Sequence, residues 1–372
     1  EVRMKTALYR LVLITALLAI VLVGCAPAAP EVVEVEKEVM VEVTRVVEVE
    51  GETVIEEVVV VATPEPEMME PFRVALIIPS SIKDLAWAQS MYEALVAVQA
   101  DMGEDMFEIA YTENMFSVPD AAAAIRDYAA DGYNLIIAHG SQYGSSMAEV
   151  APDFPETSFA WGSTVNTYQG EGIENIFAYA ARTQDSGYLE GVLMANMTES
   201  GVVGYCGPIQ AGDHGLHSDG WKLGLAAADP AVQVSEVWTG SYSDVSAMAA
   251  CAETHIQNGA DLLTGGSQSI TGSIGVAKDN EVLYFGGQWD QTELAPEVVV
   301  ISYVYDWSAI VADMVKANQA GVMGGKVYWG TYQNGGLRDI FNPGIEVPED
   351  AMAAYQAALD SIVSGELVVE VE

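Results

Sequence analysis

The chain has 372 residues, 51% of them hydrophobic, and a formal charge of −40 from 54 acidic and 14 basic side chains. That length and apolar content suffice for a real core and about two domains. The charge repels nucleic acid and anionic lipid, which excludes a role built on binding DNA or RNA. Only nine Lys and Arg follow Glu70, so the acidity is not confined to one segment. It fits a soluble protein outside the cytoplasm, or one adapted to salt, and bears on solubility rather than fold.

Met4 is a plausible start, and Lys5 and Arg10 give a positive leading segment. Leu11 to Val23 is an apolar run of thirteen residues broken only by Thr15. A membrane span needs roughly 20 residues, whereas this run has the length of a signal-peptide core. Leu22-Val23-Gly24-Cys25 follows and resembles a bacterial lipobox. Residues 1–25 are therefore expected to be a lipoprotein signal peptide with Cys25 as the lipidated residue; a chance cysteine after an ordinary secretory signal is the alternative. Two or three acyl chains would anchor the protein stably where one would not.

Residues 26–70 differ from everything after them. They open Ala-Pro-Ala-Ala-Pro and close Thr63-Pro64-Glu65-Pro66; between lie Val and Glu in near-alternation, with thirteen Glu in 31–70 against Lys37 and Arg45. Alternation argues against an amphipathic helix, and repulsion among the glutamates extends the chain. The expectation is an acidic stalk; a strand-like or self-associating one is the alternative, since Val favours strands.

From Phe72 the pattern becomes strands alternating with helices. Residues 73–78 form a short buried strand ended by Pro79. Asp84 caps a helix over 85–102, with Ala88, Met91, Leu95 and Val98 at helical spacing. Strands at 107–111, 135–138, 159–161 and 176–179 alternate with helices at 120–130, from Ser146, and at 186–197. The cycle restarts with strands at 202–206, 232–238, from Leu262, and at 282–285. The helices between them cover 219–228, 245–258 and a segment holding 274–278. This alternation predicts an α/β protein of two parallel-sheet domains with helices on both faces.

In open parallel sheets, ligands bind beyond the carboxyl ends of the strands. The residues that follow each strand are Trp87 and Gln89 after the first, His139 and Ser141 after Ala138, and Trp161-Gly162-Ser163 after Ala160. A loop with Asp213, His214, His217, Asp219 and Trp221 follows Cys206. Gln268 follows the Leu262 strand, and Gln288, Trp289 and Asp290 follow Phe285. Rings, amides, carboxylates and glycines in this mixture suit a flat, hydrogen-bonding ligand. Enzyme signatures fail: there is no G-x-G-x-x-G after a strand, no P-loop lysine, and Thr271-Gly272-Ser273-Ile274-Gly275 misses the nucleophile elbow at its first position. No cofactor is expected. His214-x-x-His217 with His139 could supply three imidazoles to a metal; hydrogen bonding to ligand or solvation in a loop is the plainer reading. Cys206 and Cys251 either pair, as an oxidising compartment allows, or serve as small buried hydrophobes.

In this order the loops resemble the basic membrane protein family of solute-binding lipoproteins, whose known type is a purine nucleoside receptor feeding an ABC transporter. The similarity covers about 72–369. It is carried by Asp84-Leu85-Ala86-Trp87-Ala88-Gln89-Ser90, by residues 128–140, by Arg182 through Gly187-Tyr188-Leu189-Glu190-Gly191-Val192-Leu193, by Gly259-Ala260-Asp261, and by Asp290-Gln291 through Leu294-Ala295-Pro296. The resemblance implies a type I periplasmic-binding-protein fold: two Rossmann-like lobes, joined by a three-stranded hinge, that close on ligand. Lobe one is expected at 71–178 plus 291–322 and lobe two at 179–290 plus 323–372. It also implies a permease partner and places the family's base-stacking aromatic on Trp87. Three departures weaken a ribose clamp: Ala88 replaces an asparagine, Gln288 replaces an acidic residue, and a lysine is absent near Tyr305-Asp306-Trp307. Asp306-Trp307 and Trp329-Gly330 instead resemble the branch linked to free purines. The expected ligand is thus a purine base, then a nucleoside. Asp219, Gln268, Gln288 and Asp290 would read its polar edge, and Trp87 with Trp221 or Trp289 would be its plates. The competing readings are a sensor that signals to a membrane partner, a binder of another solute such as a sugar, and a nucleoside hydrolase using Asp213, Asp219, Asp290 or the histidines.

Overall fold

The computed structural model describes residues 39–49, 52–62 and 70–371. Cys25, the signal segment and the start of the stalk lie outside the described residues. Within the stalk, β1 (Val39–Val49) and β2 (Glu52–Ala62) pair antiparallel, Val39 opposite Ala62 through to Val49 opposite Glu52. The Val/Glu alternation is therefore satisfied at this point by a hairpin rather than by single extended chain.

Residues from Glu70 onward form a separate unit of two lobes. Lobe one holds β3 (Phe72–Ile77), α1 (Trp87–Met102), β4 (Phe107–Thr112), α2 (Val118–Ala130), β5 (Leu135–Ala138), α3 (Gly144–Val150), β6 (Ser158–Gly162) and β7 (Ile176–Ala181). Lobe two holds α4 (Thr183–Met197), β8 (Val202–Gly207), α5 (Gly212–Ala228), β9 (Gln233–Trp238), α6 (Val245–Gln257), β10 (Leu262–Gly265), α7 (Thr271–Asp279), β11 (Leu283–Gln288) and β12 (Val299–Tyr305). The chain then returns for α8 (Ser308–Gln319) and β13 (Val327–Gly330), and crosses again for β14 (Leu337–Phe341) and α9 (Glu349–Ser364).

The two six-stranded sheets have matching orders, β13-β7-β6-β5-β3-β4 and β14-β12-β11-β10-β8-β9. Every pairing in them is parallel except β12 with β14. Inner strands such as β5, β7 and β12 are wholly buried, as parallel strands covered on both faces must be, whereas the edge strands β4 and β9 are only partly so. Asp84 acts at the start of α1 as expected, its carboxylate accepting from the N–H groups of Ala86, Ala88 and Gln89.

The lobe boundaries differ from the expected ones. Val299–Tyr305, seven buried residues in a row, pairs with β11 in the second sheet, whereas 291–322 was expected in lobe one. Val327–Gly330 pairs with β7 in the first sheet, whereas 323–372 was expected in lobe two. The three crossings fall after Ala181, Tyr305 and Gly330. They are stitched to one another: the Arg182 N–H donates to the Gly330 carbonyl at 3.0 Å, and the Asp306 N–H to that of Gly336 at 3.0 Å. This is the three-stranded hinge. Cys206, near the end of β8, and Cys251, on α6, are joined as a disulfide, which decides between the two readings of that pair.

Candidate functional site

A cavity of about 470 Å³ lies between the carboxyl edges of the two sheets. Eight strands feed it. Lobe one contributes Pro79 and Trp87 after β3, Phe116 after β4, Gly140 and Ser141 after β5, and Ser163 after β6. Lobe two contributes Ile209, Asp213 and His214 after β8, Tyr242 after β9, Gln268 after β10, and Gln288 at the end of β11. Ser163 and Gln288 occupy equivalent places in the two lobes, and both adopt left-handed backbone, φ 58° and 72°. Non-glycine residues hold that conformation only where the surroundings impose it, and such positions cluster at functional sites.

Several buried polar atoms here have no protein partner: Gln268 Oε1, Gln288 Oε1 and His214 Nδ1. Gln288 is 1% exposed and His214 5%. A buried polar group of this kind costs about 1–3 kcal/mol when it is left unpaired, so these atoms are suited to bonding a polar ligand. Asp213, in the first turn of α5, accepts from Ser163 Oγ at 2.9 Å, a hydrogen bond that joins the lobes across the cleft. The Gln291 amide makes a second inter-lobe bond, donating to the Leu85 carbonyl at 3.1 Å. Burial pushes the Asp213 carboxyl up to about 6, with the Ser163 hydrogen bond acting against it. Burial pushes the His214 imidazole down to about 3, aided by neighbouring His217, so it is neutral.

Trp87 lines the cavity and His139 packs behind it, the two rings acting as one unit. Their rings stack 3.8 Å apart, and Trp87 is 5% exposed, with its edges against Tyr305 and Trp307. The Trp87 indole N–H donates to the His139 carbonyl at 2.9 Å. His139 Nε2 faces the Trp87 carbonyl at 3.0 Å, and Nδ1 faces the Tyr179 hydroxyl at 2.7 Å. A carbonyl can only accept, so Nε2 carries the proton and Nδ1 accepts from Tyr179. Burial lowers the His139 value from 6.5 to about 3. A folded value below the unfolded one means that the stability due to the neutral ring is complete above about 6.5 and is lost as pH falls toward 3. In a histidine NMR titration, His139 is expected to remain a neutral Nε2–H tautomer from pH 8 to about 5; a midpoint near 6.5 for that ring would overturn this assignment.

Of the ten expected ligand residues, Trp87, Ser141, Gln268 and Gln288 line the cavity. His139 braces Trp87 from behind. Gln89 faces back along its own helix, its amide oxygen accepting from the Leu85 N–H. Trp221 is fully buried, its indole pointing at Met194 in the core of lobe two, and Asp219 pairs with Lys222 at 2.8 Å. The reason is that the expected loop after Cys206 is mostly helix: α5 begins at Gly212, so only its first turn reaches the cleft. Trp289 and Asp290 lie past the left-handed turn at Gln288, outside the lining, where Asp290 accepts from the Thr292 N–H. His214 and His217 are buried on α5 in lobe two, whereas both ring nitrogens of His139 are taken up in lobe one by Trp87 and Tyr179, so the three imidazoles do not converge on one point. Among the described residues, only Cys206, Cys251 and His255 bring possible metal-ligating atoms within 4.8 Å of one another, and that set contains the disulfide. Phe116, Ile209 and Tyr242 are lining residues the sequence reading did not single out. Phe116 and Tyr242 follow β4 and β9, so their signal is the same strand-end position.

Two parallel-sheet lobes, three hinge crossings and an aromatic, amide-lined cleft define a solute-binding protein that encloses its ligand between domains. The family described as ABC transporter substrate-binding protein, PnrA-like, matches residues 72–343, and the chain belongs to it. A purine-binding protein of Brucella abortus is 27% identical over 300 residues, covering 80% of this chain and 83% of that one. A putative ABC transporter glucose-binding protein of Haloferax volcanii is 24% identical over 298 residues, covering 79% and 74%. A solved solute-binding protein of an Aeropyrum pernix ABC transporter system shares the fold, with a TM-score of 0.70 at 16% identity over 81% of this chain and 94% of that one. The protein is thus an ABC transporter solute-binding protein, of a family that works outside the cytoplasm with a small-molecule ligand and a permease. Among the described residues no helix is long and apolar enough to cross a membrane.

Proposed function

We propose that the protein captures a purine base, or a purine nucleoside, in the inter-lobe cleft and presents it to an ABC permease while tethered through lipid on Cys25. The observation that carries the ligand reading is the pairing of aromatic surface with unpaired edge-reading atoms. Trp87, Phe116 and Tyr242 offer ring surface from both lobes, while Gln268, Gln288 and His214 hold polar atoms that lack protein partners. A flat heterocycle with a hydrogen-bonding rim satisfies both at once. The name of the Brucella abortus relative supports the same ligand class. The tether rests on the lipobox-like Leu22-Val23-Gly24-Cys25.

Thermal unfolding of the purified protein against purine bases, nucleosides, sugars and amino acids tests this. A ligand at 100 times its dissociation constant adds about 2.7 kcal/mol of stability. The expected result is an upward shift with purines. A shift with glucose or another sugar and none with any purine would replace the ligand while leaving the solute-binding role intact.

A further inference from the structure

The lining groups divide by how freely each can change its hydrogen-bonding sense. Gln268 and Gln288 are amides that can turn and offer either a donor or an acceptor. Neutral His214 can do the same by changing tautomer. Asp213 cannot: as a carboxylate it only accepts. One oxygen takes the Ser163 hydroxyl, and among the described residues that is its only side-chain hydrogen bond; Asp213 lines the cavity with the rest of its accepting capacity unused by protein groups. Asp213 is also the one charged side chain among the described residues that line the cavity; no lysine or arginine does.

Resting on the purine reading above, we propose that Asp213 is the specificity-determining residue of the cleft: it selects a purine edge with adjacent N–H donors, as in guanine, over the adenine edge, and it turns away ligands bearing phosphate or carboxylate. Guanine presents N1–H and the 2-amino group side by side, two donors for one carboxylate. Hypoxanthine keeps only N1–H. Adenine presents an acceptor at N1 beside its 6-amino group, and that acceptor would face a carboxylate lone pair. A polar mismatch in a dry site discriminates far more strongly than a change in apolar volume, because the site's buried groups are left unpaired. An added phosphate would meet the Asp213 carboxylate with no cation to offset it.

Titration calorimetry of the full chain at pH 7.5, where Asp213 is largely ionised, tests this with guanine, hypoxanthine and adenine as bases and as nucleosides, and with guanosine monophosphate. The expected order is guanine, hypoxanthine, adenine, with at least about a tenfold gap between first and last, as one charge-assisted hydrogen bond provides. Guanosine monophosphate should bind at least about tenfold more weakly than guanosine. In Asp213→Asn the amide supplies a donor beside its acceptor, so the preference should shrink by about tenfold or turn toward adenine. Equal binding of guanine and adenine by the unaltered protein would overturn the proposal even if the variant failed to fold, and so would an undiminished preference in a folded variant. Binding of no purine at all would remove the reading beneath it, a different and recognisable result.

Discussion

Replacing any one of Gly187, Gly191, Gly220 or Gly224 with alanine is expected to cost about 3 kcal/mol and to weaken ligand binding. The four glycines form two pairs at four-residue spacing, Gly187 and Gly191 on α4, Gly220 and Gly224 on α5, and they face each other. A methyl on Gly187 would strike the His217 carbonyl, and one on Gly191 that of Trp221. From the other side, Gly220 and Gly224 would strike the carbonyls of Gln184 and Tyr188. The obstacle is backbone in all four cases, so no side-chain rotation relieves it, and the helices must separate. Four glycines in helix interiors each forgo about 1 kcal/mol of helix propensity relative to alanine, so the close approach must return more than that. Separation would also carry the first turn of α5 outward, moving Asp213 from Ser163 and His214 from the cavity. Gly275 on α7 is the control, because a methyl there meets nothing within 4 Å. Gly275→Ala should be neutral or stabilise by up to about 1 kcal/mol through propensity. Urea unfolding of the five single variants separates the two classes; the same small gain at Gly187 or Gly224 as at Gly275 would disprove the seam.

The glycine seam also shows what the sequence conceals. Strands such as Leu135–Ala138 and helices such as Trp87–Met102 announce themselves by short apolar runs and by helical spacing, and both stand where that pattern puts them. Helix α5 does not, because its contact face is built from Gly220 and Gly224 with the buried polar residues His214, His217 and Ser218, so no apolar stripe marks its first two turns. Read by hydrophobicity alone, those turns look like a loop, which puts Asp219 and Trp221 near the ligand, whereas the structure pairs Asp219 with Lys222 and buries Trp221 in lobe two. The lobe boundaries slipped for a related reason. A chain that crosses three times between similar sheets carries the same pattern on either side, and only the hydrogen bonding of Val299–Tyr305 to β11 shows which sheet it joins. The cleft was more legible than its helices, because the strand-end rule depends on topology. It puts Trp87, Ser141, Gln268 and Gln288 at strand ends, and these four lie on the cavity wall; Phe116 and Tyr242 answer to the same rule applied to β4 and β9.

Removing the Cys206–Cys251 disulfide is expected to lower stability by about 4 kcal/mol. The bond closes a loop with a sequence separation of 45, and constraining a loop of that length in the unfolded chain corresponds to about 4 kcal/mol. The loop contains α5 and β9, and the strand end it fixes leads directly into Ile209, Ala211, Gly212 and Asp213 of the cavity wall. The double variant Cys206→Ala, Cys251→Ala should therefore unfold at markedly lower urea concentration, and its ligand response should weaken along with its stability. A midpoint within the equivalent of about 1 kcal/mol of the unaltered protein would show that the native contacts around α6 do not need the bond. Reduction of the unaltered protein is the companion measurement, and it has a complication that the structure makes plain. Once reduced, both thiols lie beside His255, whose Nδ1 is buried without a partner. Two thiols and an imidazole suit soft metals such as zinc, and captured metal would restore part of the lost constraint. The reduced protein should therefore match the double variant only with a chelator present, and any stability regained on adding zinc measures how closely those three side chains are held together.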